Sequence, residues 1–516
     1  MRVAERLNAC EYLVDRRLEA GDGARVAFEQ GGTRVTYAEL SERVGQAANA
    51  LRALGVRPEE RVPLVLLDGI ELVASFLGAL RVGAVPVPMS TMLTGGELAF
   101  QCDDARARVV VASAALAPVI KDMVAECEEL TDLVIAGDGD AEVALAGPPR
   151  VHGYQELTRD QPVRADVYRT WPDSPAFWLY TSGTTGKPKA AMHRHADLPY
   201  TARTYGHQVL GITPDDRCYS VAKLFFAYGL GNSLTFPLSL GARTILDPAR
   251  PTPRGVAAAV RERRPTLFFA VPTFYAAVLA ADLPGDTFAS VRLAVSAGEP
   301  LPAGIFHRFK DRFGVDILDG LGTTEALHIF ISNRPADIRP GTTGFVVPGY
   351  RVRLVDDDGD VVPPGESGHL EVSGESVATG YWCRTEVTRR TFKGEWLRTG
   401  DVYSCSDDGV FTYAGRSDDM IKAGGIWVSP AEVEATLVRH PDVLEAAVVG
   451  RRTPEGLREP AAFVVRMPGR DPEAEELVGF CRERLAAFKR PRQVIFVDDL
   501  PKTATGKIQR YKLRDG

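Results

Sequence analysis

Phe177-Trp178-Leu179-Tyr180-Thr181-Ser182-Gly183-Thr184-Thr185-Gly186-Lys187-Pro188-Lys189 is an apolar run that breaks into a loop of hydroxyls, glycines and lysines. Glycines let backbone amides turn inward as an anion-binding nest. Thr181, Ser182, Thr184 and Thr185 add hydroxyl donors, and Lys187 and Lys189 add positive charge. That combination suits a polyphosphate. It is not a Walker A loop, which places four residues between its glycines and a Ser or Thr after its Lys. Here two residues separate Gly183 from Gly186, and Pro188 follows Lys187, opposing a helix start at the lysine. On composition alone, a Ser/Thr/Gly-rich surface turn reads the same way, so the rest of the chain has to decide.

Upstream of the loop, helical and strand patterns alternate. Residues 36–56 read as a helix ended by Gly55, 61–69 as a buried strand, 71–89 as a helix, turn and strand, and 107–116 and 132–137 as short strands. Such alternation implies a parallel, doubly wound sheet. Residues 138–173 are polar, Gly- and Pro-containing and irregular, and read as a connector. Downstream, residues 242–247, 266–272 and 292–298 read as strands, and 253–264 and a segment before Phe313 as helices, forming a second α/β stretch to about residue 340. From Gly341 to Tyr413 the pattern becomes apolar/polar alternation with Asp-Gly and Pro-Pro-Gly turns, which predicts antiparallel hairpins. The tail returns to mixed α and β, with Ser429 as N-cap of a helix. The expected fold is therefore α/β. A large N-terminal domain (1–417) holds two doubly wound subdomains (about 1–172 and 173–340) and a small β-barrel-like subdomain (341–417), and a small α+β C-terminal domain follows (418–516).

Five further stretches accompany the loop. They are Ser296-Ala297-Gly298-Glu299-Pro300-Leu301-Pro302; Asp319-Gly320-Leu321-Gly322-Thr323-Thr324-Glu325; Leu397-Arg398-Thr399-Gly400-Asp401; Tyr413-Ala414-Gly415-Arg416-Ser417-Asp418-Asp419-Met420-Ile421-Lys422; and Pro501-Lys502-Thr503-Ala504-Thr505-Gly506-Lys507-Ile508. Each alone reads as an ordinary turn. In the second, Glu325 stands where a dinucleotide fingerprint needs its third Gly, whereas a carboxylate beside hydroxyls suits a hard cation. Together, and in this order, the six stretches resemble the acyl-adenylate-forming superfamily, which includes acyl- and aryl-CoA synthetases, luciferases and peptide-synthetase adenylation domains. The resemblance spans most of the chain.

That resemblance implies an enzyme using ATP, Mg²⁺ and coenzyme A, with Lys507, Glu325 and Thr181 as catalytic residues. Residues 181–187, Lys189, Gly298, Glu299, Pro300, Asp319, Gly320, Thr324, Asp401 and Arg416 would bind the nucleotide together with Lys507. Of these, Gly298–Pro300 and Asp319–Gly320 would lie near the adenine, Thr324 would touch phosphate, and Asp401 would hold the ribose diol. Glu325 would ligate the metal. Asp418 would be the hinge of a mobile C-terminal domain, and Gly424, Gly425 and Trp427 would face the site during thioester formation. The segment Lys223–Asn232, with Glu325–Phe330, resembles the benzoate-CoA ligase branch. By that resemblance Ala227, Tyr228, Gly298, Gly322, His328 and Ile329 line the acyl pocket. Phe225 and Phe226 read as core packing. No Asp stands in the Phe225–Tyr228 stretch to hold an α-amine, which argues against an amino acid.

The expected reaction is adenylation of benzoate or a hydroxy- or aminobenzoate, then transfer to coenzyme A. The alternatives are an aryl-adenylate ligase loading a carrier-protein thiol, a non-aromatic acyl-CoA synthetase, and a non-catalytic scaffold. The net charge of -7, with both signs interspersed, argues against a nucleic-acid partner. The seven cysteines are odd in number and lack Cys-x-x-Cys spacing, which argues against a disulfide framework or structural zinc and for a cytoplasmic setting. No stretch approaches the ~20 apolar residues of a membrane span, and the N-terminus reads as an amphipathic helix, not a signal peptide. Monomer and homodimer are both compatible with the sequence.

Overall fold

The computed structural model describes residues 6–137, 147–182, 188–417, 419, 421–423, 426–452, 458–485, 489–502 and 508–514; for Ser182, Lys422, Ala423, Ile426, Trp427, Arg452, Arg458 and Tyr511 it describes the backbone alone. The α/β class holds. A nine-stranded sheet runs Phe345–Val346, Ile329–Ser332, Ile317–Gly322, Leu293–Ala297, Leu267–Ala270, Arg217–Ser220, Arg243–Leu246, Val26–Gln30, Thr33–Thr36. Its interior pairs are parallel and its margins antiparallel. A second, wholly parallel sheet runs Val85–Pro88, Arg61–Val65, Val109–Ser113, Asp132–Ala136, Arg150–Gly153. Helices cover both, as the β/α alternation requires.

The local chemistry explains the elements. The helix Tyr37–Ala53 starts on a capping box: the Thr36 hydroxyl accepts from the Glu39 N–H, and Glu39 accepts from the Thr36 N–H at 2.8 Å. It packs against the helix Ile70–Arg81, and a Cβ at Gly78 would sit 2.9 Å from the Ala48 nitrogen, so the two helices approach this closely only over a glycine. One apolar core, with Phe28, Tyr37, Phe76 and Phe177 fully buried, joins these helices to both sheets.

Two features depart from the sequence reading. The hairpin Val26–Thr36 pairs with Arg243–Leu246, so an N-terminal segment completes the sheet built mainly from the second half. Within the expected connector, Arg150–Gly153 forms an edge strand. Its signal is ionic, not apolar. The buried Asp132 accepts from Arg150 at 2.9 and 3.0 Å and faces His152 Nε2 at 2.8 Å.

Residues 351–416 form an antiparallel sheet of Arg351–Val355, Ser367–Ser373, Trp396–Cys405, Phe392–Lys393 and Phe411–Arg416. The C-terminal part pairs Ile421–Ala423 with Ile426–Val428 and packs the helices Pro430–Leu437 and Ala474–Arg482 on Val443–Arg452, Arg458–Arg466 and Gln493–Phe496. Ser429 caps the first of these helices, as expected, by accepting from the Glu432 N–H at 3.2 Å. Among the described residues no helix is long and apolar enough to cross a membrane.

Candidate active site

Pro175–Ser182 and Pro188–Arg194 form an antiparallel hairpin with Thr181 opposite Lys189. The connecting Gly183, Thr184, Thr185, Gly186 and Lys187 lie outside the described residues, as do Asp418, Gly424, Gly425 and Lys507. Residues 379–382 run beside the hairpin and bridge to it at Tyr381 opposite Ala191. The Thr379 and Trp382 N–H groups donate to Met192 and Ala190, and Met192 N–H donates to Gly380, each at 3.0 Å. This seats the Tyr381 ring against Lys189, whose ammonium lies 4.0 Å from the ring centroid.

The strand Ile317–Gly322 leads into one 3₁₀ turn, Thr324–Ala326, capped by the Thr323 hydroxyl, which accepts from the Ala326 N–H at 3.0 Å. Glu325 is its central residue. The next residue, buried Leu327, holds φ at 69°, a strained value for a non-glycine that only well-fixed surroundings maintain. The Tyr381 hydroxyl donates to Glu325 Oε1 at 2.6 Å. Burial, and then the Glu325 charge, push this phenol far above its usual range, so it stays a donor. Burial also holds the Lys189 ammonium below the usual lysine range, with Glu325 opposing that shift and Arg416 adding to it. A carboxylate with one oxygen committed to a phenol, next in sequence to the hydroxyl of Thr324, is an all-oxygen set that fits Mg²⁺.

The nucleotide candidates gather at the carboxyl ends of parallel strands, where open α/β sheets bind ligands. Ser296 and Ala297 pair with Asp319 and Gly320, so the Gly298-Glu299-Pro300 turn emerges beside them. Gly298 adopts φ 92°, natural for glycine. Burial lifts the Asp319 carboxyl to about 7, and its Oδ2 accepts from the Leu301 N–H at 3.3 Å. On the antiparallel sheet Asp401 stands opposite Arg416, which donates to Asp401 Oδ1 at 2.9 Å and to the Thr399 carbonyl at 3.0 Å.

The acyl candidates also converge. Ala227 and Tyr228 open the helical turn Ala227–Leu230. The Tyr228 hydroxyl is spent on the backbone, donating to Val295 O at 3.1 Å. His328 Nε2 donates to Tyr228 O at 3.3 Å, which leaves Nδ1 as a bare acceptor with no partner among the described residues. Burial pushes this imidazole down to about 3, so it is neutral. Gly231 abuts its ring, Gly322 abuts its carbonyl, and Ile329 covers Gly320. Tyr205 and Phe236 stand 5.4 and 4.5 Å from the His328 ring and complete an aromatic wall. Phe225 is buried and meets the half-buried Phe226 edge-on at 4.5 Å.

Sequence reasoning overlooked Tyr381 and His193. Tyr381 sits in Gly-Tyr-Trp, a tripeptide without periodicity. His193 belongs to His193-x-His195-x-Asp197, a cluster of ionisable residues that is itself a signal.

The profile of the AMP-binding enzyme family matches residues 15–382, and that of the AMP-binding enzyme C-terminal domain matches 432–507. The chain belongs to the AMP-binding enzyme family. It is 46% identical to a benzoate–CoA ligase of Thauera aromatica, over 100% of this chain and 97% of that protein. Two solved structures share its AMP-binding fold along nearly the whole length. A benzoate CoA ligase from Burkholderia xenovorans LB400 matches with TM-score 0.90 at 46% identity, covering 98% of this chain and 99% of that one. The anthranilate CoA ligase AuaEII, in complex with anthranoyl-AMP, matches with TM-score 0.93 at 41% identity, covering 99% and 98%.

Proposed function

We propose that this protein is an AMP-forming aryl-CoA ligase that activates benzoate or a hydroxy- or aminobenzoate. The observation that carries this reading is the end-to-end likeness to benzoate and anthranilate CoA ligases. The aromatic wall around Tyr228 and His328 supports a flat ring as substrate.

In the first half-reaction the acid's carboxylate, ionised at neutral pH, attacks the α-phosphorus of ATP and pyrophosphate leaves. The task is positioning and charge stabilisation. The hairpin loop Thr181–Lys189 holds the phosphates with Thr324, and Lys507 neutralises charge as the adenylate forms. Asp401 takes the ribose diol and orients with Arg416. Gly298, Glu299, Pro300, Asp319 and Gly320 bracket the adenine. Mg²⁺ bound through Glu325 supplies further charge neutralisation. In the second half-reaction the thiolate of coenzyme A attacks the adenylate carbonyl and AMP leaves. The body of residues 1–417 and the domain of residues 418–516 rotate about Asp418 between the steps, and Gly424, Gly425 and Trp427 replace Lys507 at the site.

Coenzyme A-dependent AMP release over a panel of benzoates, fatty acids and amino acids tests this. Benzoates are expected to lead aliphatic acids by at least ~10-fold, with aryl-CoA as product. Adenylate formed without transfer to coenzyme A would identify a carrier-protein acceptor instead, and faster turnover of fatty acids would overturn the aryl assignment.

A further inference from the structure

The three carbonyls of the turn that carries Glu325 are each held by a donor from outside it. The Ala378 N–H donates to Glu325 O at 2.8 Å and the Ser376 hydroxyl to Ala326 O at 2.8 Å. Both come from one loop. The third donor is His193 Nε2, which reaches Thr324 O at 2.8 Å from the strand that follows the phosphate loop.

His193 is 1% exposed and stacks on Phe177, with ring centroids 5.0 Å apart and planes at 13°. Its other nitrogen, Nδ1, lies 3.0 Å from Oδ2 of the fully buried Asp197. The same carboxylate accepts from the Arg194 N–H at 3.0 Å and from Arg194 Nε at 3.1 Å, and Arg194 also pairs with Asp173 at 2.7 Å. A carbonyl can only accept, so His193 Nε2–H donates to Thr324 O while Nδ1 faces the Asp197 carboxyl group. A buried polar pair of this kind contributes little net stability over well-packed apolar side chains. What this one provides, and Phe or Leu would not, is a fixed N–H aimed at the Thr324 carbonyl.

We propose that His193 is a positioning residue for adenylation: locked by Asp197, it sets the turn Thr324–Ala326 in register with the hairpin strand Pro188–Arg194. This rests on the assignment of Thr324 to phosphate and Glu325 to metal made above. The imidazole takes no proton from substrate and touches no reacting atom. It acts through the turn.

Three variants of the full chain separate this role from plain packing. In His193→Gln the amide replaces ring Nε2 and keeps the bond to Thr324. In His193→Asn the amide replaces Nδ1 and keeps only the Asp197 side. His193→Phe keeps only the stack. The readouts are benzoate-dependent ATP–pyrophosphate exchange, with separate KM values for MgATP and benzoate, and calorimetric binding of MgATP without acid. For His193→Asn and His193→Phe, exchange is expected to fall ~10–100-fold and MgATP affinity to weaken, with the benzoate KM unchanged. His193→Gln should stay within ~3-fold of the parent. Equal MgATP affinity in the parent and His193→Asn would overturn the proposal. So would equal losses in His193→Gln and His193→Asn, or losses of MgATP and benzoate affinity that rise together in step with a lowered melting temperature. An absence of exchange in the parent with any benzoate would count against the aryl assignment, and MgATP binding would still decide the role of His193.

Discussion

At the scale of single residues, the contact between Tyr381 and Glu325 has the clearest chemical consequence. A phenol donating to a carboxylate at 2.6 Å is a short, charge-assisted hydrogen bond. It orients the carboxylate and commits Oε1, which would leave Oε2 for the cation that the proposed function assigns to Glu325. Partners that orient a ligand in this way typically matter 10- to 100-fold in metal affinity. Tyr381→Phe removes the hydroxyl and leaves the ring against Lys189. The Mg²⁺ concentration for half-maximal adenylation is expected to rise ~10-fold while the benzoate KM stays put; a magnesium titration of the variant that overlays the parent would refute this. Glu325 stands out in the sequence because a carboxylate beside the hydroxyls of Thr-Thr-Glu carries its chemistry locally. Tyr381 does not, because its role comes from a hydrogen bond across 56 positions of chain, set by a bridge to Ala191 that no local pattern encodes.

At the scale of elements, the sequence announces what is built on apolar periodicity and is silent on what is built on ions or single hydrogen bonds. The strands Arg61–Val65, Leu267–Ala270 and Leu293–Ala297 are mostly apolar, buried along nearly their whole length, and read directly. Arg150–Gly153 and residues 379–382 do not, since one is held by Asp132 and the other by three main-chain bonds to the hairpin. The acyl wall is a mixed case. Tyr228 and His328 read as pocket residues; Gly231 lies in the segment Lys223–Asn232 without a role, and it is what lets the His328 ring lie against the backbone. A Cβ there would meet His328 Cδ2 at 2.3 Å. Gly231→Ala must therefore push the imidazole toward the pocket at a cost of ~1–3 kcal/mol. The expected outcome is a benzoate KM raised ~10-fold or more, with the MgATP KM unchanged. Steady-state kinetics with each substrate varied in turn checks this, and a rise in both KM values would point to general misfolding instead.

At the scale of the whole molecule, four buried titratable groups give stability opposite pH dependences. Burial lifts Asp68 to about 6 and Asp319 to about 7. It lowers His195 to about 4 and His328 to about 3. A carboxyl with a raised folded pKa binds its proton more tightly when folded, so its contribution falls as pH rises from about 4 through the folded value. A histidine with a depressed folded pKa binds its proton more tightly when unfolded, so stability is lost as pH falls below about 6.5. Between about pH 4 and 6.5 the two pairs work against each other and flatten the profile. Asp319→Asn removes the larger carboxyl shift and leaves the histidines in place. Relative to the parent, this variant should gain melting temperature as pH rises, by a few degrees between about pH 4 and 7.5, because a carboxyl lifted to about 7 from its ordinary range corresponds to at most ~4 kcal/mol. Calorimetric scans of both proteins at pH 4, 5.5 and 7.5 measure the difference. A constant offset across that range would show that the Asp319 proton is not linked to folding, and a gain that shrinks with rising pH would reverse the sign assigned to its burial.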